Sequence, residues 1–250
     1  MAPLAVVVLA SGCTVVVGGK AQPAPDLAPR PLAGSTITRV LLGHTTLSRI
    51  LKQPMIVDHR FPSRFGGPEA LQADGTSSPV DCLGVAGMLE QSAYHSGNVK
   101  GVAVQAWRHA AVSAAVTEVR EGVVSLPTAA DANALFAAFS RQWQNCNGRT
   151  QPLSDNVFRL TATIDQVRVA DSVLGATIWL ALASSGKDTD SIPAGRAVGV
   201  QGNCLVEVEV DFFNASRSSL RGQGGIPTSA QDIAELMMDR IGALGELTPR

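Results

Sequence analysis

The sequence predicts an α+β fold: six to seven antiparallel strands in one sheet, with helices packed mainly on one face. Three observations lead there. Residues 158–165 and 206–212 alternate apolar and polar side chains, as strands with one buried face do. Residues 128–146 instead repeat apolar side chains at helical spacing. Successive strands are also joined by short turns, which pair neighbours antiparallel. The composition agrees. Across 250 residues, 45% are apolar but only 4% aromatic, so a sizeable core must rest on Val, Ile, Leu and Ala. Charged residues make up 16%, and 20 Lys and Arg against 21 Asp and Glu leave a net charge of −1. That balance excludes a basic nucleic-acid binder, and the apolar content excludes a disordered chain.

The N-terminus comes first. Residues 1–19 are uncharged, and Leu4–Ala10 is an apolar run far shorter than the roughly 20 residues of a bilayer span. It suits the core of a signal peptide. Leu9-Ala10-Ser11-Gly12-Cys13 follows, with small residues abutting a cysteine as in a bacterial lipobox. Cleavage there would remove residues 1–12 and leave Cys13 to carry diacylglycerol on its thiol and a palmitate-type chain on its amine. The absence of a basic residue before Leu4 is read as a start codon placed too late. Pro23, Pro25, Pro29 and Pro31 mark extended chain. Residues 13–36 are therefore expected to be a lipidated tether and residues 37–250 the folded domain, extracytoplasmic and held at the cell membrane.

Within that domain, residues 46–53 form a short helix with Leu47, Ile50 and Leu51 on one face, stopped by Pro54. Residues 58–81 are rich in Pro, Gly and Ser and read as a long loop, with Asp58-His59 solvent-exposed. Cys82–Tyr94 is a broken helix, weakened by Gly84 and Gly87. Strands follow at 99–107 and 112–125, the second with a bulge. Pro127-Thr128 opens the clearest helix, where Thr128 and Asp131 have capping-box spacing. Its Ala132, Leu135, Phe136, Phe139, Trp143 and Cys146 share one face. Further strands run from Phe158, over 173–183, over 196–200 and from Val206. Gln201-Gly202-Asn203 is a hairpin turn. Trp179 reads as core. A last helix starts at Pro227-Thr228 and buries Ile233, Leu236, Met237, Ile241 and Leu244. The sheet face left uncovered would carry Arg159, Thr163, Glu207 and Glu209, either solvated or lining a cleft.

With Cys13 lipidated, Cys82, Cys146 and Cys204 permit one disulfide and one free thiol. Cys82 begins a short helical stretch and Cys146 ends a strong helix, which favours Cys82–Cys146. Cys204 reads as a small buried apolar residue. No cysteine or histidine spacing fits a metal site, and no cofactor motif is present. Ser184-Ser185-Gly186-Lys187 fits S-x-x-K and Ser154-Asp155-Asn156 fits S-D-N, but their order is reversed relative to penicillin-binding enzymes and K-T-G is missing, so the match is chance.

From Pro79-Val80-Asp81-Cys82 to Trp143-Gln144-Asn145-Cys146, the chain resembles the PknH-like extracellular domain of mycobacteria. The shared features are the Cys after Pro, Tyr94, the Gln105 strand, the 119–125 strand and an Ala-rich helix ending Trp143-x-x-Cys146. Arg196-x-Val198 through Gly202-Asn203, then a Val-rich strand and a final helix, extend the likeness over most of residues 40–245. That domain is the sensor region of a receptor kinase and also occurs in stand-alone lipoproteins. The resemblance implies a twisted sheet with a sizeable cleft, a Cys82–Cys146 bridge and no catalytic residues. A non-catalytic, ligand-binding envelope lipoprotein is thus expected, with Trp107, Arg108, Arg159, Glu207 and Glu209 as candidate cleft residues. Its expected partners are the membrane through the lipid, an unidentified small-molecule, lipid or glycan ligand, and an envelope protein. An envelope hydrolase and a protein-binding scaffold are the alternatives.

Overall fold

Two-residue alternation becomes a single antiparallel sheet with a core on each face. In a computed structural model, residues 30–73, 82–112, 114–154, 159–170, 172–182, 191–213 and 226–246 are described. Along the chain lie α1 (His44–Leu51), β1 (Met55–Val57), β2 (Arg64–Gly66), α2 (Leu83–Ala86), β3 (Gly101–His109), β4 (Val116–Ser125) and α3 (Ala129–Cys146). Then follow β5 (Thr150–Ser154), β6 (Arg159–Val169), β7 (Val173–Leu182), β8 (Ile192–Gln201), β9 (Cys204–Phe212) and α4 (Ile226–Glu246). The spatial order is β1-β3-β4-β9-β8-β7-β6-β5, with β2 also paired to β3. The three strands beyond the six legible in the sequence are β1, β2 and β5, each only three to five residues long.

Both faces are covered by helices, not mainly one. On the first face, Val124, Leu205, Val198 and Ile164 pack with Leu135, Phe139 and Trp143 of α3 and with the α2 segment. On the second, Val123, Val206 and Val208 pack with Leu47 of α1 and with Ile233, Met237 and Ile241 of α4. The six apolar residues predicted on one side of α3 are all buried. The Thr128 hydroxyl accepts a hydrogen bond from the Asp131 amide at 3.1 Å, capping the helix as expected. In α4 the buried stripe lacks Leu236, which is 38% exposed; Ala230 and Ala234 take its place inside.

Gly202 has φ +56°, so a glycine at the first turn position lets β8 return directly into β9. Asn203 beside it joins three segments. Its Oδ1 accepts from the Leu32 amide at 2.7 Å, and its Nδ2 donates to the carbonyls of Leu32 and Leu126 at 3.0 and 2.7 Å. Leu32 is buried, so packing begins ahead of residue 37, within the stretch whose prolines suggest a tether. The lipobox, Cys13 and the rest of residues 1–29 lie outside the described residues, as do Asp155-Asn156 and Ser184-Ser185-Gly186-Lys187.

Cys82 and Cys146 form a disulfide closing a 64-residue separation, and Cys204 is free and buried. The bridge ties the start of α2 to the end of α3 and so fixes the cover of the first face.

Candidate functional site

The acids expected on a wet strand face are buried. Strand register explains it. Arg120 of β4, Glu209 of β9 and Arg196 of β8 lie opposite one another across three strands, on the first face. Arg120 donates through Nη2 to Glu209. Arg196 donates to Glu207 Oε2 at 2.8 Å and lies 3.8 Å from Glu209. The Arg196 guanidinium is 0% exposed. It sits 5.8 Å from the Trp143 ring centroid and donates to the Gly87 carbonyl at 2.8 Å. Glu207 also accepts from the Tyr94 hydroxyl at 2.5 Å and from the Leu89 amide. Burial and the adjacent Glu207 carboxylate hold the Tyr94 phenol well above its ordinary pKa. Leu89 reaches Glu207 by adopting φ +58°, and its side chain occupies the space over Gly122 that a Cβ would fill. Desolvation of charge is expensive unless paired and hydrogen-bonded. Glu207 and Glu209 meet that condition, so they build the fold and are not cleft-lining residues.

The accessible features lie at the edge beside β3. β1 pairs with residues 107–109 of β3 and β2 with residues 102–104, so the chain between, 58–63, detours outward. Asp58 anchors the detour. Its carboxylate is inaccessible and accepts from the Arg60 amide and from Arg60 Nε and Nη2, while its own amide donates to the Ala106 carbonyl. The Arg60 guanidinium holds the Asp58 carboxyl below its usual range. Asp58-His59 is therefore half structural: only His59 is exposed, contrary to the solvated pair expected.

Three cavities surround this detour. A polar one of about 560 Å³ is bordered by Asp58, His59, Arg60, Arg108, His109 and Glu118. A second, of about 340 Å³, has Arg60, Arg64 and Arg120 around a surface of Phe61, Leu89 and Val104. The third, of about 330 Å³, lies beyond Arg64 against Leu42, Phe65 and Trp107. Arg60 borders both the first and the second, and it bridges Asp58 and, at 3.4 Å, Glu118. Of the five candidates read from sequence, Arg108 and Trp107 border cavities. The Trp107 indole N–H is committed to Glu121 at 2.8 Å. Arg159 pairs with Ser154 at the opposite edge of the sheet, away from the cavities. Arg60, Arg64, Arg120 and Glu118 were missed; the only signal was a Pro- and Gly-rich loop with two arginines beside Phe61 and Phe65. Among the described residues, no His, Cys, Asp and Glu cluster forms a metal site.

Two acids beneath the sheet faces titrate abnormally. Burial pushes Glu121 up to about 8, although Trp107 and the Leu42 amide donate to it. Burial, then the adjacent Glu209 charge, pushes Asp211 up to about 7. Both native values exceed the ordinary carboxylate value, so protonation favours the folded state. The stabilisation is full below about pH 4 and is lost as pH rises through 7 and 8. Chemical denaturation between pH 5 and 9 is expected to show stability falling with pH, with a shallower slope in E121Q; an unchanged slope in that variant refutes the assignment.

Residues 32–240 match the PknH-like extracellular domain family. The crystal structure of the extracellular domain of PknH from Mycobacterium tuberculosis has a similar fold, with a TM-score of 0.70 at 17% identity, covering 86% of this chain and all of that one. No curated protein matches the chain. No helix among the described residues is long and apolar enough to cross a membrane.

Proposed function

Because the chain belongs to the PknH-like extracellular domain family, we propose that it is a sensor-like, non-catalytic envelope protein that binds a small-molecule, lipid or glycan ligand at the β1–β3 edge. The observation carrying this reading is the string of three cavities around the Asp58-anchored detour. Cavities with apolar walls and a few convergent polar groups are the usual form of a ligand site. Asp58 and Glu118 border the 560 Å³ cavity but are engaged by Arg60 and Arg120, which suits recognition better than acid–base chemistry. Cys13 is the proposed attachment point: acyl chains there would hold the domain outside the cell membrane.

A thermal-shift screen against envelope glycolipids and muropeptides tests the binding. A ligand at one hundred times its Kd stabilises by about 2.7 kcal/mol, or roughly 5–10 °C in Tm. The shift is expected to shrink in R108A, whose guanidinium makes no hydrogen bond or ion pair among the described residues. A blank across both ligand classes refutes the binding reading. Metabolic palmitate labelling, present in the native protein and absent in C13S, tests the anchor separately.

A further inference from the structure

The 340 Å³ cavity differs from the polar one in one respect: among the described residues, three arginines line it and no Asp or Glu does. From this sorting of charge we infer that it binds an amphipathic anion, a carboxylate or phosphate monoester on a hydrocarbon chain. The inference rests on the ligand-binding reading above and narrows its chemistry.

The carboxylates near these arginines lie elsewhere. Asp58 is turned to the Arg60 Nε and Nη2 edge, Glu118 faces the polar cavity, and Glu209, Asp211 and Glu90 act on Arg120 without lining this cavity, Glu209 and Glu90 being buried. Donors therefore remain. Arg64 makes no hydrogen bond or ion pair among the described residues, and Nη1 of both Arg60 and Arg120 lacks an acceptor there. A guanidinium fork matches a carboxylate or phosphate in geometry and charge. The rest of the wall is apolar: Phe61, Pro62, Met88, Leu89, Val104 and Ala106. Phe61 is 49% exposed at the rim, with Arg60 5.7 Å from its ring centroid, so an apolar surface stands open beside the cationic one. A bare inorganic anion would leave that surface in water, and a neutral alkyl glycoside would leave the donors unpaired. A single ligand carrying both parts satisfies both.

The test is isothermal titration of the full chain with decyl phosphate below its micelle concentration, beside inorganic phosphate and decyl maltoside. Decyl phosphate is expected to bind at least tenfold more tightly than either. R64Q and F61S, both exposed positions, are each expected to weaken it five- to tenfold with an unchanged Tm. Inorganic phosphate binding equally well, decyl maltoside binding equally well, or indifference to both substitutions each overturns the inference. Vesicles containing phosphatidylglycerol separate two sources of such an anion: Arg64-dependent vesicle binding identifies a lipid headgroup, and binding of soluble decyl phosphate alone identifies a diffusible amphiphile. If glycolipids or muropeptides from the screen stabilise the protein while decyl phosphate does not bind, this inference fails and the general binding reading stands. If nothing binds, both fail.

Discussion

Replacing Arg196 by methionine is expected to destabilise the domain by about 3–5 kcal/mol, the usual result of leaving buried charge without its partner. Arg196 serves two carboxylates, Glu207 and Glu209, and three backbone carbonyls of the α2 segment. In R196M, Glu207 keeps Tyr94 and Leu89, and Glu209 keeps Arg120, so the protein loses charge balance more than hydrogen bonds. The Gly84 and Gly87 carbonyls lose their donor as well. For a domain of this size, each kcal/mol lowers Tm by about 2–4 °C, which puts the expected drop at roughly 10 °C. The double variant R196M/E207M should recover part of the loss, because removing a whole buried pair costs less than removing half of it. Urea denaturation gives both numbers. A loss below about 1 kcal/mol in R196M would mean that the network is not the keystone of this face.

Reducing the Cys82–Cys146 bridge is the second large perturbation. Closing a loop of 64 residues constrains the unfolded chain by about 4 kcal/mol on the chain-entropy argument. Unfolding midpoints in urea with and without reductant, and for C82S/C146S, measure it. The bridge and Arg196 hold the same α2 segment, so C82S/C146S combined with R196M should depart from additivity by 0.5 kcal/mol or more. Cys204 is a check on the chemistry. Burial pushes its thiol up to about 12, so it should resist alkylation in the native protein and react once the chain unfolds.

What could be read in the sequence was whatever local spacing determines. The α3 stripe, its Thr128 cap, the Gly202 turn and the alternation in β9 depend on neighbours a few residues apart, and all were legible. Glu207 and Glu209 show where local reading stops. Their alternation marks a strand correctly, but whether that face is wet depends on Arg120 and Arg196 arriving in register from two other strands. The small residues Ala194 and Gly195 hid the first half of the ten-residue β8, of which only 196–200 was legible, for the same reason, since their burial comes from partners on both sides. At the candidate site, Arg108 and Trp107 were legible as polar and aromatic residues ending a strand. Arg60 and Arg64 were not, because two three-residue strands create their detour and neither carries a recognisable period.

The clasp made by Asn203 also gives the molecule a direction. Leu32 and the β4–α3 junction meet at one end of the central strands, whereas Glu118 and the polar cavity lie at the other. Eight residues of β4, Glu118 to Ser125, run between them, about 24 Å of strand. The described chain therefore begins at the base, and the mouth beside Arg108 opens at the opposite end of the same strands.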